Sequence, residues 1–194
     1  MAENGSTATK RTALVVTQDA DAIAELVNLT CDLIGDDACV IIVLSISLGA
    51  VEAEDEAIAA IEKQVKHIAD EKQMPVRSMT VTSTSIARGV LDTAREERAD
   101  LIVVGTSAEA NTTRSIGSVA ENIAATTPCR LVIYRRGVDR DLHRVVITTP
   151  IDEPSEEVIC AGVELASRRA RPATLITIGP DALDGRPAAN SVTG

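Results

Sequence analysis

Apolar residues along this chain fall in short dense blocks, separated by longer stretches in which apolar positions recur at helical spacing. The first block, Ala13 to Val16 within RTALVVTQ, is ended by polar residues and predicts a buried strand. Asp19 and Asp21 then open the stretch AIAELVNLTCDLI, as helix-starting residues do. Ile23, Leu26, Val27, Leu29, Leu33 and Ile34 fall largely on one helical face, and Gly35 is placed to end the helix. Cys39–Ser47 is almost wholly apolar and predicts a second strand. A helix over about Asp55–Lys72 follows, closed by Pro75, and the β-branched run Val76–Thr84 predicts a third strand. A helix over Ile86–Arg98, a strand at Asp100–Gly105, a helix opening near Ile116–Gly117 and a strand at Cys129–Arg135 complete the alternation. Such alternation predicts an α/β fold with an open, mostly parallel sheet, helices on both faces and right-handed crossovers.

The pattern then begins again. ALVVTQDADAIAELVNLTCDLI, from Ala13, compares with VVITTPIDEPSEEVICAGVELA, from Val145: each reads strand, polar turn with Asp, amphipathic helix. A further apolar strand follows each, VIIVLSI from Val40 and ATLITIG from Ala173. Any two β-α-β units look alike at this level, but the matching turn favours a partial second repeat over residues 143–179. The polar residues 1–10 and the Pro/Gly/Ala-rich residues 180–194 are expected to be flexible tails.

Composition sharpens this picture. The chain has 194 residues, no Trp, no Phe and one Tyr (Tyr134), so its core is expected to be aliphatic, as in a sheet buried on both sides. A formal net charge of −10 argues against nucleic-acid binding, which needs a basic surface. Cys31, Cys39, Cys129 and Cys160 are scattered, with no C-x-x-C pair; this excludes a zinc signature, and three of them are expected to be buried thiols. His67 and His143 lie far apart and suggest no metal site. Residues 1–10 do not resemble a signal peptide, and no apolar run is long enough to span a bilayer, so a soluble, cytoplasmic protein is expected.

Known catalytic motifs are absent. There is no G-x-x-x-x-G-K-[S/T], no G-x-G-x-x-G after the first strand and no G-x-S-x-G. The acid pairs Glu96-Glu97 and Glu156-Glu157 read as solvated helix faces, and Arg168, Arg169 and Arg171 as cations favoured near a helix end.

The most informative stretch is ADLIVVGTSAEANTTRSIGSVAENIAATTPCRLVIYR, residues 99–135. A strand ends at Gly105, where a glycine would let a ligand approach the backbone. A polar loop then leads to Gly117-Ser118 and a helix start, whose unpaired amides can hold an anion. This stretch resembles the universal stress protein family, which carries G-x2-G-x9-G-[S/T] here, and the resemblance extends over residues 11–136. It implies a Rossmann-like, adenine nucleotide alpha hydrolase-like fold, with sheet order 3-2-1-4-5 and a ligand cleft where that order reverses.

The resemblance also implies a site for ATP or another adenine nucleotide. By position, adenosine would meet Thr17 and Gln18 at the first strand's end and Ile46 at the second's. Phosphates would meet Val104, Gly105, Gly117, Ser118 and Val119. Two departures are expected to weaken binding. Ala108 replaces the second motif glycine in a loop one residue short, and Gln18 stands where an acidic residue normally follows the strand, with Asp19 one later. The family resemblance further implies a non-catalytic stress-response module, dimeric through the strand Cys129–Arg135. The alternatives are a soluble regulatory partner of a membrane transporter and, with less support, a slow ATPase.

Overall fold

The computed structural model describes residues 11–34, 39–49, 52–106, 117–135 and 143–179, and the chain divides into two compact units, Met1–Val138 and Asp139–Gly194. In the first unit, β1 (Arg11–Val16), β2 (Cys39–Ser47), β3 (Val76–Thr82), β4 (Leu101–Thr106) and β5 (Arg130–Arg135) form one sheet. Its order is β3-β2-β1-β4-β5 and every pairing is parallel, as expected. Between the strands run α1 (Ile23–Ile34), α2 (Glu52–Lys72), α3 (Ile86–Glu96) and α4 (Ser118–Thr126).

Alternation along each strand sends side chains to two separate cores. Ala13, Val15, Ile41, Val43, Leu101 and Val103 pack with Ile23, Leu26 and Val27 of α1 and Ile61, Val65 and Ile68 of α2. Leu14, Val16, Ile42, Leu44, Ile46, Ile102 and Val104 pack on the other face with Val90, Leu91 and Ala94 of α3 and Ile123 of α4. Ala13, Leu14, Val15, Ile41, Ile42 and Val43 are all fully buried. Burial on both faces is why β1 and β2 read as unbroken apolar runs. Each fully buried Leu, Ile or Val contributes about 1.5–3 kcal/mol.

Side chains and local turns set the element ends. Asp19 caps a short 3-10 turn, Ala20–Ala22, by accepting from the Asp21 N–H, so α1 proper starts at Ile23. Ser85 caps α3 through the Arg88 N–H, and α3 stops at Glu96, two residues before the expected end. Arg98 there has φ 51°, outside the helical region. Asp100 lies outside β4 as a clamp: its carboxylate accepts from the Thr12 N–H (2.9 Å), and its own N–H donates to the Thr12 carbonyl (2.8 Å). β3 ends at Thr82 rather than Thr84, and Cys129 falls just before β5.

The second unit contains β6 (Val145–Pro150), α5 (Glu156–Arg168) and β7 (Ala173–Ile178), with β6 and β7 paired in parallel. Val145, Ile147 and Ala166 form its small core, with Ile159 and Leu165 packed against it. A Cβ on Gly162 would come within 2.7 Å of Ile147 Cδ1, so the glycine lets α5 lie close to β6. Along β6 buried and exposed residues strictly alternate, and Val146, Leu175, Ile176 and Ile178 are exposed.

The expectation of three buried cysteines needs correction. Cys39 is buried, Cys31 and Cys129 are half-buried and Cys160 is exposed. Cys160 lies on α5, where a two-stranded sheet covers only one helical side. The expected tails, residues 1–10 and 180–194, lie outside the described residues.

Candidate functional site

The strand order reverses between β1 and β4, whose ends lie side by side with Val16 opposite Val104. Chains leave these two strands toward opposite faces, β1 to α1 and β4 to α4. Parallel sheets open a crevice beyond the strands' carboxyl ends at such a point.

At the β1 end, the Thr17 N–H makes the last ladder bond, to the Leu44 carbonyl at 3.4 Å. The chain then turns: buried Thr17 accepts from the Asp19 N–H at 3.0 Å and donates to the Asp19 carbonyl at 3.2 Å. Gln18 is exposed, and its side-chain amide donates across to the Ile46 carbonyl at 3.2 Å. Asp19 accepts from the Asp21 N–H and so serves the start of the α1 region. Beside Ile46, the hydroxyl of Ser45 is buried and has no hydrogen-bond partner among the described residues. Thr17, Gln18 and Ile46 are thus brought together, and Gln18 is what joins the two strand ends.

On the β4 side, Val104 is buried and belongs to the same core as Ile46, with Val119 of α4 packed against that core. Gly105 faces the opposite way. A Cβ there would lie 3.0 Å from Leu26 Cδ1, and its φ is not in the left-handed region, so this glycine makes room for α1. Gly117, by contrast, has φ 89° and ψ 142° and precedes α4 without a side-chain cap. That conformation is nearly confined to glycine. Exposed Ser118 follows it, and the first-turn N–H groups of α4 have no acceptor within the helix. Ala108 and the rest of 107–116 lie outside the described residues, as does any loop between Thr106 and Gly117.

Two interactions that the sequence did not suggest lie at opposite ends of the β4–β5 pair, Tyr134 at the carboxyl ends and Cys129 just before the amino ends. Tyr134 of β5 donates its hydroxyl to Glu25 of α1, tying the edge strand to the helix. Cys129 lies near Asp100. Burial pushes its thiol pKa up, the hydrogen bond with Thr127 opposes that rise, and the Asp100 charge adds to it. Among the described residues no cluster of His, Cys, Asp and Glu could hold a metal ion, and no helix is long and apolar enough to cross a membrane.

Solved structures share this architecture. A universal stress protein from Archaeoglobus fulgidus matches with TM-score 0.52 at 15% identity, over 64% of this chain and 93% of that one. A universal stress protein in complex with cAMP matches with TM-score 0.48 at 20% identity, over 66% of this chain and 98% of that one. The Archaeoglobus fulgidus protein in complex with dAMP gives 0.46 at 17% identity, over 63% and 96%. At 15% identity the first of these likenesses, with TM-score 0.52, concerns the fold alone. No curated protein matches the chain. The family model described as the universal stress protein family matches residues 11–135, the whole five-stranded unit, and the chain therefore belongs to that family.

Proposed function

We propose that this chain is a non-catalytic stress-response module that binds an adenine nucleotide in the crevice beyond β1 and β4. The observation that carries the reading is the pairing of two features at the switch point. One is the hydrogen-bonding surface at Gln18 and Ile46; the other is the α4 start at Gly117-Ser118. The first offers polar edges to a base, and the second offers backbone N–H groups and a positive helix end to phosphates. The non-catalytic reading rests on family membership.

Calorimetric titration with ATP, ADP and AMP, each with Mg²⁺ and at low and high salt, tests it. Micromolar binding that Gly117→Val abolishes and Ser118→Ala weakens is the expected outcome. Absence of binding to all three would refute the nucleotide reading and turn attention to protein partners.

We propose also that the module is a homodimer through β5, covering Cys129–Arg135. β5 is an edge strand of apolar Leu131, Val132 and Ile133, whereas the opposite edge strand, β3, carries Arg77, Ser78, Thr80 and Thr82. Polar residues blunt an edge, and an apolar one invites pairing. Val132 packs against the α1 core, so Ile133→Lys is the cleaner test. Light scattering that still gives a dimer for Ile133→Lys would refute this interface.

A further inference from the structure

We propose that the open face of the β6–β7 sheet docks on the same face of a second copy of this chain, with the strands of the two copies antiparallel.

Strand pairing defines the face. Val145 and Ile147 pack with Ala166 of α5, so Val146, Thr148 and Pro150 point away from that helix. Their ladder partners Thr174, Ile176 and Ile178 stand on the same side. None of these six residues is charged, and Val146, Ile176 and Ile178 are 52%, 45% and 39% exposed. The first unit shows what such a face ordinarily meets. On the side of β1 and β2 away from α1, Leu14, Ile42 and Leu44 are fully buried among residues of α3 and α4. Among the described residues of the second unit, α5 is the sole helix, and it covers the other side.

Charge indicates what covers the open face. The helix α5 begins beside the carboxyl ends of the strands and finishes at their amino ends. Arg144, Arg168, Arg169 and Arg171 therefore gather at the amino end of the unit. Asp152, Glu153, Glu156 and Glu157 gather at the carboxyl end. Glu164, midway along α5, pairs with Arg168. The two poles are separated by the length of a six-residue strand, about 20 Å. Such a surface is complementary to itself when turned end for end. A twofold axis across the strands sets the basic pole of each copy against the acidic pole of the other, as an isologous contact requires. A parallel arrangement would set like charges together. Pairing along the strand edges would leave Val146, Ile176 and Ile178 in water, so the faces meet rather than the edges.

Two such strands, about 4.8 Å apart, present roughly 200 Å². That is about a quarter of the 800 Å² or so per partner in a standard interface, so the contact alone is weak. A dissociation constant of about 0.1–1 mM follows, which leaves the contact open at the micromolar concentrations where the β5 pairing is read.

The experiment is sedimentation equilibrium of the whole chain carrying Ile133→Lys, from micromolar to millimolar concentration at low ionic strength. That parent removes the β5 pairing, so its mass when dilute reports β5 and the rise with concentration reports this face. The mass is expected to double toward millimolar. Adding Ile176→Lys should weaken the association by about tenfold or more. Val163→Lys should leave it unchanged, because Val163 is equally exposed, at 51%, but lies on α5. Arg144→Glu with Arg171→Glu, and separately Asp152→Arg with Glu153→Arg, should each weaken it, and an equimolar mixture of the two should regain the parent strength. No rise in mass at millimolar concentration would overturn the proposal. So would an Ile176→Lys variant that associates like its parent, a Val163→Lys variant that is equally weakened, or a mixture no stronger than either charge variant alone. An Ile176→Lys variant that only lowers the urea midpoint would show the face covered within its own chain, which also overturns it. Should Ile133→Lys fail to fold, the same variants are read in the wild-type chain, where Ile176→Lys must still weaken association.

Discussion

Replacing Gly105 by alanine asks whether this glycine serves a ligand or serves α1. The new methyl would lie 3.0 Å from Leu26 Cδ1 and 3.5 Å from Cδ2, where carbon–carbon contacts prefer about 3.5–4.0 Å. Leu26 is fully buried, so relief requires a shift of about half an ångström against close-packed neighbours. Overpacking costs about 1–3 kcal/mol, and the low end applies because the contact is with a flexible side-chain tip. Leu26→Ala alone should cost about 2–5 kcal/mol, since it empties a site with no solvent access. In the double variant the methyl introduced by Gly105→Ala enters space that Leu26 vacated. The two losses should therefore fall short of their sum by about 1 kcal/mol, within the range seen for contacting residues. Urea unfolding measures this through the shift in midpoint at unchanged slope. Additivity within about 0.5 kcal/mol would refute the packing argument. So would a Gly105→Ala variant of wild-type stability that no longer binds AMP, because the glycine would then serve the ligand.

Other expectations rest on single features. Gly117→Ala should destabilise by about 1–3 kcal/mol through backbone strain, because among the described residues beyond its chain neighbours no atom lies within 4 Å of the new Cβ; an unchanged urea midpoint would contradict the positive φ. The folded-state pKa of Cys129 is raised, so its contribution to stability is full below the ordinary thiol value of 9.0 and is lost as pH climbs through the higher folded value. Unfolding midpoints should accordingly decline above pH 9.0 less steeply in Cys129→Ala than in the wild type. Exposed Cys160 should react with iodoacetamide before Cys129, which peptide mass mapping after brief labelling would reveal. Tyr134→Phe removes the hydroxyl bonded to Glu25 and should cost about 1 kcal/mol in urea unfolding, while Glu25→Gln should cost less because an amide oxygen still accepts.

The succession of strands and helices was legible because burial on both faces makes β1, β2 and β4 dense apolar blocks. Their spatial order was not, since parallel strands of similar composition carry no mark of their neighbours; the family resemblance supplied it. Element ends were misplaced where side chains set them. Asp100 reads as part of a strand but clamps Thr12, and Arg98 takes a left-handed φ that ends α3 early. At the site, Gly117 was expected at a helix start and does precede α4, but its positive φ was not foreseen. Gly105 was read for ligand approach, and its packing against Leu26, on a helix far away in sequence, was not legible. Gln18 stood out only as a departure from a pattern, because its partner Ile46 is 28 residues away and no local signal joins them. Likewise the Tyr134–Glu25 bond spans 109 residues, beyond the reach of any spacing argument.

That bond has a practical consequence. With no Trp and a single Tyr, all tyrosine emission from this protein comes from one ring on an edge strand, hydrogen-bonded to a carboxylate of the helix that follows β1. A phenol bonded to a carboxylate loses fluorescence, so the native state should be dim and any detachment of β5 from α1 should brighten it. The protein thus carries its own optical reporter at the edge where a second copy would dock. No label is needed to ask whether that strand peels away before the rest of the sheet unfolds.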